Sequence, residues 1–108
     1  MKPADKRLLE VGELIKQCLE AHKFHCKVIR PWNNEFEISL TKPGVFDVIQ
    51  NEIKVILAQL DFKRVEWPKE KQNINDSVYS LYANIKENIG CIVDEERHHL
   101  SFFSEYRI

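Results

Sequence analysis

Four side chains able to bind a transition metal lie close in the chain as Cys18-x3-His22-x2-His25-Cys26. Thiolate and imidazole are zinc ligands, and Cys18 and His22 would sit one helical turn apart. The spacing works against a closed site. Cys18 continues an apolar stripe, and in an extended strand His25 and Cys26 point to opposite faces, so at most three ligands converge. The expectation is a core cysteine with surface histidines and no metal. A second constellation, Cys91 with His98 and His99, has the residue types of a nucleophile and its base. No Gly-rich nucleophile turn or oxyanion-hole signature accompanies it. Cys91 is expected to be a core thiol with hairpin-tip histidines beside it, and no catalytic residue is assigned.

Asp94-Glu95-Glu96 offers carboxylates, but consecutive acids at a hairpin tip point apart and do not converge on one ion. Thr41-Lys42-Pro43-Gly44 opens a helix in the manner of an anion-binding N-terminus. Its single Gly falls far short of a phosphate loop. No cofactor is implied by any of these patterns.

The elements that carry these residues follow from hydrophobic periodicity. Leu8, Val11, Leu14, Ile15, Cys18, Leu19 and His22 recur at three- and four-residue steps, which predicts an amphipathic helix of about five turns. Gly12 lowers its propensity slightly. Phe36, Ile38 and Leu40 alternate with Glu35, Glu37, Ser39 and Thr41 as a half-buried strand. Phe24, Cys26 and Val28 alternate with His25, Lys27 and Ile29 in the strand before it. A three-residue loop, Trp32-Asn33-Asn34, sets Val28 opposite Ile38 and Cys26 opposite Leu40. A loop of two or four would set Lys27 against the apolar row and bury an unpaired charge.

Val45, Val48, Ile49, Glu52, Ile53, Ile56, Leu57 and Leu60 predict a second, more apolar helix. Phe62 to Trp67 reads as a short third strand ended by Pro68, and residues 69–76 as a polar loop. The stretch from Ser77 to Ile89 supports two periods. Tyr79, Leu81, Ala83 and Ile85 alternate as a strand, whereas Val78, Leu81, Tyr82, Ile85 and Ile89 step as a helix. Asp76 as N-cap and Gly90 just past the end favour the helix. The chain closes with a hairpin of Cys91–Val93 against Leu100–Phe102. A Glu95-Glu96 loop pairs Asp94 with Arg97 and aligns Cys91 with Leu100, which places Cys91 diagonal to His98.

The predicted fold is α+β, one domain over residues 1–108. Its order is α-β-β-α-β-α-β-β, a mostly antiparallel sheet of about five strands with two or three helices on one face. The layout is partly ferredoxin-like, which implies nothing about function.

Composition narrows the function classes. The 108 residues are 44% hydrophobic and 31% charged, as in an ordinary globular domain. The charged start, Met1 to Arg7, precedes no signal-peptide stretch, and no apolar run reaches the roughly 20 residues of a membrane span. An odd count of three cysteines is not a disulfide framework. A cytoplasmic location, no disulfide and no membrane contact are expected. The net charge of −1 argues against a general nucleic-acid binder. Residues 1–34 hold seven Lys/Arg and four Asp/Glu, a balance of +3, and residues 35–108 hold nine and thirteen, a balance of −4.

The sheet face away from the helices is expected to present Ile29, Ile92 and Phe103 among Lys27, Glu37, His99 and Ser101, with Trp32 and Arg30 at the first turn. Trp and Arg are enriched at the energetic centres of interfaces. The sequence therefore predicts a small non-catalytic protein-binding module, of inhibitor, immunity or adaptor type. Its expected contact residues are Lys27, Ile29, Arg30, Trp32, Ile92, His99 and Phe103. The alternative is a single-stranded nucleic-acid (RNA) binder in which sheet aromatics stack bases and Lys23, Lys27 and Arg30 follow phosphates. A small Cys91/His98 enzyme is the third reading. The oligomeric state stays open.

Overall fold

The computed structural model describes residues 3–32, 35–68 and 78–104, without the side chains of 3–5, 29–32 and 35. The elements are α1 (Pro3–Ala21), β1 (His25–Trp32), β2 (Glu35–Thr41), α2 (Phe46–Gln59), β3 (Lys63–Val65), β4 (Tyr79–Asn84), β5 (Ile89–Asp94) and β6 (His99–Ser104). The strands form one antiparallel sheet in the order β1-β2-β6-β5-β4-β3. Both helices lie on one face. Leu8, Val11, Ile15 and Leu19 of α1 and Ile49, Ile53, Ile56 and Leu57 of α2 share a core with Phe36, Ile38, Leu40, Cys91, Val93, Leu100 and Phe102 of the sheet.

The α+β, helices-on-one-face reading holds, but there are six strands and two helices among the described residues. The expected third helix is wrong. Residues 79–84 are β4, which hairpins into β5 through residues 85–88. Its N-cap candidate, Asp76, lies outside the described residues, as does the loop at 69–76. The helical spacing arose because β4 is apolar on both faces. Tyr82 faces the main core, while Leu81 and Ala83 form a second apolar cluster with Val65, Trp67, Ile92 and Phe103. The ferredoxin-like likeness is loose: β6, β5 and β4 separate β2 from β3 in the sheet.

The first hairpin keeps the expected register, with Cys26 opposite Leu40 and Val28 opposite Ile38. It reaches that register differently. Trp32 pairs with Glu35, so two residues and not three connect the strands, and a bulge between Val28 and Arg30 absorbs the extra residue. In the last hairpin Cys91 pairs with Phe102, not Leu100, and Asp94 with His99. The slip is two residues, so every side chain keeps its face.

Local chemistry explains where the elements stop. Both helices end in a Schellman arrangement. Phe24 N–H donates to Leu19 O (3.1 Å) and Lys23 N–H to Glu20 O (3.0 Å) after α1. Phe62 N–H donates to Leu57 O (2.9 Å) and Asp61 N–H to Ala58 O (3.1 Å) after α2. Lys23 and Asp61 hold the left-handed position at φ 70° and 68°. The two C-terminal hairpins also share a design. Asn84 Oδ1 accepts from Glu87 N–H (3.0 Å), and Asp94 Oδ1 accepts from Glu96 and Arg97 N–H (2.9 and 3.2 Å). Each four-residue turn then closes on a left-handed residue, Asn88 (φ 57°) or His98 (φ 54°).

Candidate functional site

The metal and nucleophile patterns do not assemble. Cys26 is buried with its thiol toward Lys16 O (3.9 Å), Cys18 is half-buried, and His22 and His25 are exposed. No three His, Cys, Asp or Glu side chains among the described residues come together to hold a metal. Cys91 is fully buried, and burial pushes its thiol well above the usual range. Burial likewise pushes Cys26 up to about 11. A thiol held protonated is a poor nucleophile. With the register at Cys91–Phe102, His98 sits in the turn beyond Asp94, and its ring stacks on Phe46 with centroids 4.2 Å apart. Burial lowers the His98 pKa, against a backbone hydrogen bond with Phe46 that raises it.

The acids of the same turn are structural. Asp94 holds the turn, and Glu95 accepts from Ser80 Oγ (2.6 Å) and pairs with Lys54 of α2 (3.1 Å). Burial alone would raise the Glu95 carboxyl, but these hydrogen bonds outweigh it and hold it below the usual carboxylate range. The Thr41–Gly44 segment is also structural. Lys42 Nζ donates to His22 O (2.8 Å) and to both Glu52 oxygens (2.8 and 2.9 Å), and lies 4.8 Å from the centroid of the Phe24 ring. That ammonium supplies the positive charge that the last turn of α1 lacks.

Of the residues expected to bind, Lys27, Ile92, His99 and Phe103 lie on the outer sheet face. Lys27 is exposed there, and His99 lies 3.5 Å from Glu37. Ile92 and Phe103 are half-buried, not open. They pack around Leu81 and Ala83, each 2% exposed, with Val65 and Trp67 closing the other side. The Phe103 ring lies over Gly90: a Cβ added to Gly90 would collide with its carbons. The side chains of Ile29, Arg30 and Trp32 lie outside the description. Their backbone forms the edge strand β1, with the bulge and Pro31 within it. Both features blunt a sheet edge against further pairing.

Two surfaces escaped the sequence reading. Val45 and Val48 of the expected α2 apolar series are exposed, as are Val55, outside that series, and Phe46, whose ring stacks on His98. A helix that is apolar on more than one side signals this, since its core stripe is already complete. The other is a cleft of about 220 Å3 between α1 and the α2–β3 joint. Val11, Leu14, Ile15, Leu60 and Phe62 supply its apolar wall, and Arg7, Asp61, Asn84 and Glu87 its polar one. Arg7 holds Glu87 through two hydrogen bonds (2.6 and 2.8 Å) and Glu10 through a third (3.1 Å). The Arg7 guanidinium keeps the Glu87 carboxyl below its ordinary value. Leu14, counted in the core stripe by its spacing, is 56% exposed beside this cleft.

The described helices include none long and apolar enough to cross a membrane. Comparison of the chain with protein-family models, curated proteins and solved structures returned no match.

Proposed function

We propose that this chain is a small non-catalytic module that binds another protein, in the manner of an inhibitor, immunity protein or adaptor. The observation that carries this reading is the outward side of α2. Val48 and Val55, two turns apart on one side of the helix, keep 64% and 47% of their surface in water, and Val45 at the N-cap keeps 67%. Ile49, Ile53, Ile56 and Leu57 already fill the core from this helix, and the outward valines are no part of it. Large apolar groups left in water along one side of a helix suit a surface that a partner covers. The buried Cys91 thiol and its separation from His98 support a binding role over Cys/His catalysis.

The experiment is affinity capture from the native cell with three baits: the parent, Val48→Lys/Val55→Lys, and Ile92→Lys/Trp32→Ala. Each bait is first shown to be folded. Loss of a stoichiometric protein with the first variant assigns the contact to α2, and loss with the second assigns it to the outer sheet face and first turn. Failure of the parent to capture any stoichiometric protein would remove the reading, and equal capture by all three baits would remove both of these surfaces as the contact.

A second reading rests on a separate observation. Tyr79 (38% exposed), Trp67 and Phe103 lie on the helix-free side of the sheet, where Lys27 and Lys63 also stand. Aromatic and cationic groups on an open sheet face suit unpaired bases and their phosphates. Nuclease-sensitive capture, lost on Tyr79→Ala, would favour it.

A further inference from the structure

The cleft between α1 and the α2–β3 joint has the chemistry of an anchor site. Its roughly 220 Å3 is smaller than the 300–1,000 Å3 of most ligand and cofactor pockets. It is larger than the cavity of about 150 Å3 that accepts a benzene ring. That size suits one large side chain of a partner, the kind of buried anchor around which interfaces concentrate their energy. The wall is apolar on one side, with Leu14 and Leu60 at hand and Phe62 beneath.

The polar side decides what should flank the anchor. The Arg7 guanidinium is spent on Glu87 and Glu10. Lys86 stands in the turn next to Glu87 and Lys63 lies two residues beyond Asp61, but neither lines the cleft. The Asp61 carboxylate makes no hydrogen bond or ion pair with any other described residue, and its backbone is fixed in the left-handed cap of α2. A lining carboxylate left unpaired beside an apolar wall is complementary to a cation on an aliphatic stem.

We propose that this cleft receives an apolar side chain of a partner protein with a lysine or arginine next to it, the base facing Asp61. The inference rests on the protein-binding reading and specifies the chemistry of what is bound.

The test titrates the 15N-labelled protein with two small probes, acetyl-leucyl-lysine amide and acetyl-leucyl-glutamate amide. Saturable amide shifts are expected at Leu14, Leu60 to Phe62 and Asn84 to Glu87 with the lysine probe, and weaker binding with the glutamate probe. Asp61→Asn keeps a residue that tolerates the left-handed cap and removes the charge. It should weaken the lysine probe about two- to fivefold, the range of an exposed ion pair, and leave the glutamate probe unweakened. No saturable shift, equal response to both probes, or an unchanged lysine affinity in Asp61→Asn would overturn the proposal. Failure here with α2-dependent capture intact refutes the cleft alone. Probe binding without any captured protein refutes the broader reading instead.

Discussion

Gly12 sits mid-helix, where local propensity and tertiary packing give opposite signs for one substitution. By propensity alone, Gly12→Ala in α1 should stabilise the protein by about 1 kcal/mol. In the fold, an added Cβ would lie 2.7 Å from Cδ1 of Phe36, 2.9 Å from Cε1 and 3.0 Å from Cγ. Relaxed carbon contacts fall near 3.5–4.0 Å, so roughly 0.5–1 Å must be found. Phe36 cannot swing into water to provide it. The ring is 3% exposed, on a strand paired on both sides. Overpacking of this kind costs about 1–3 kcal/mol, and subtracting the propensity gain leaves a loss of up to about 2 kcal/mol. Urea melts of parent and variant should show a lower midpoint at unchanged slope, and the thermal midpoint should fall by about 4–8 °C per kcal/mol. In a Phe36→Leu background the clash is gone and the same substitution should become neutral or favourable, a coupling of about 0.5–3 kcal/mol. Stabilisation of the parent by Gly12→Ala, or strict additivity with Phe36→Leu, would falsify the close packing of α1 on β2.

Lys23→Gly should raise stability by about 1 kcal/mol in a denaturant melt, because Lys23 holds φ 70° at a helix end that glycine occupies without strain. Lys42→Met should cost about 1–2 kcal/mol, since it removes three hydrogen bonds at a half-buried site. Glu52→Gln combined with it should cost less than the sum of the two single losses. The pH dependence follows from His98, whose folded pKa lies below its ordinary 6.5. The unfolded chain then takes up a proton that the folded one resists, so stability is full above 6.5 and falls as pH drops toward the folded pKa. Glu87 and Glu95, both lowered, act only below their ordinary 4.5. Melts between pH 7 and 5.5 should show this loss, and His98→Asn should flatten it; an unchanged slope in the variant would remove His98 as its cause.

Much of the framework was legible because local rules and burial agree there. The first hairpin has one correct register, since any slip by one residue turns Lys27 into the core. Most of the inward stripe of α1 and of α2 follows from spacing, with Leu14, His22, Val45 and Val48 as the exceptions. The segment from Tyr79 to Ile89 was misread because β4 is apolar on both faces, and a two-sided apolar strand satisfies helical spacing as well as alternation. A local signal was present: Asn84 and Asp94, ten residues apart, each begin a four-residue turn that ends in a left-handed residue.

By itself, the sequence determined the two-layer α+β class, the pairing of β1 with β2 and the inward faces of the helices, because periodicity dictates which side leaves water. The bulge before Arg30, the two-residue slip of the last hairpin and the neighbours of Gly12 and Gly90 were decided by contacts between distant segments. The same holds for the candidate site. Residue types could nominate Cys91 and His98, but only the register separates them. Spacing could count Leu14 and Val48 as core, but a helix buries just the side that another layer meets. The cleft beside Asp61 has no sequence signature, since its walls come from α1, the end of α2 and the β4–β5 turn, which only the closed sheet brings together.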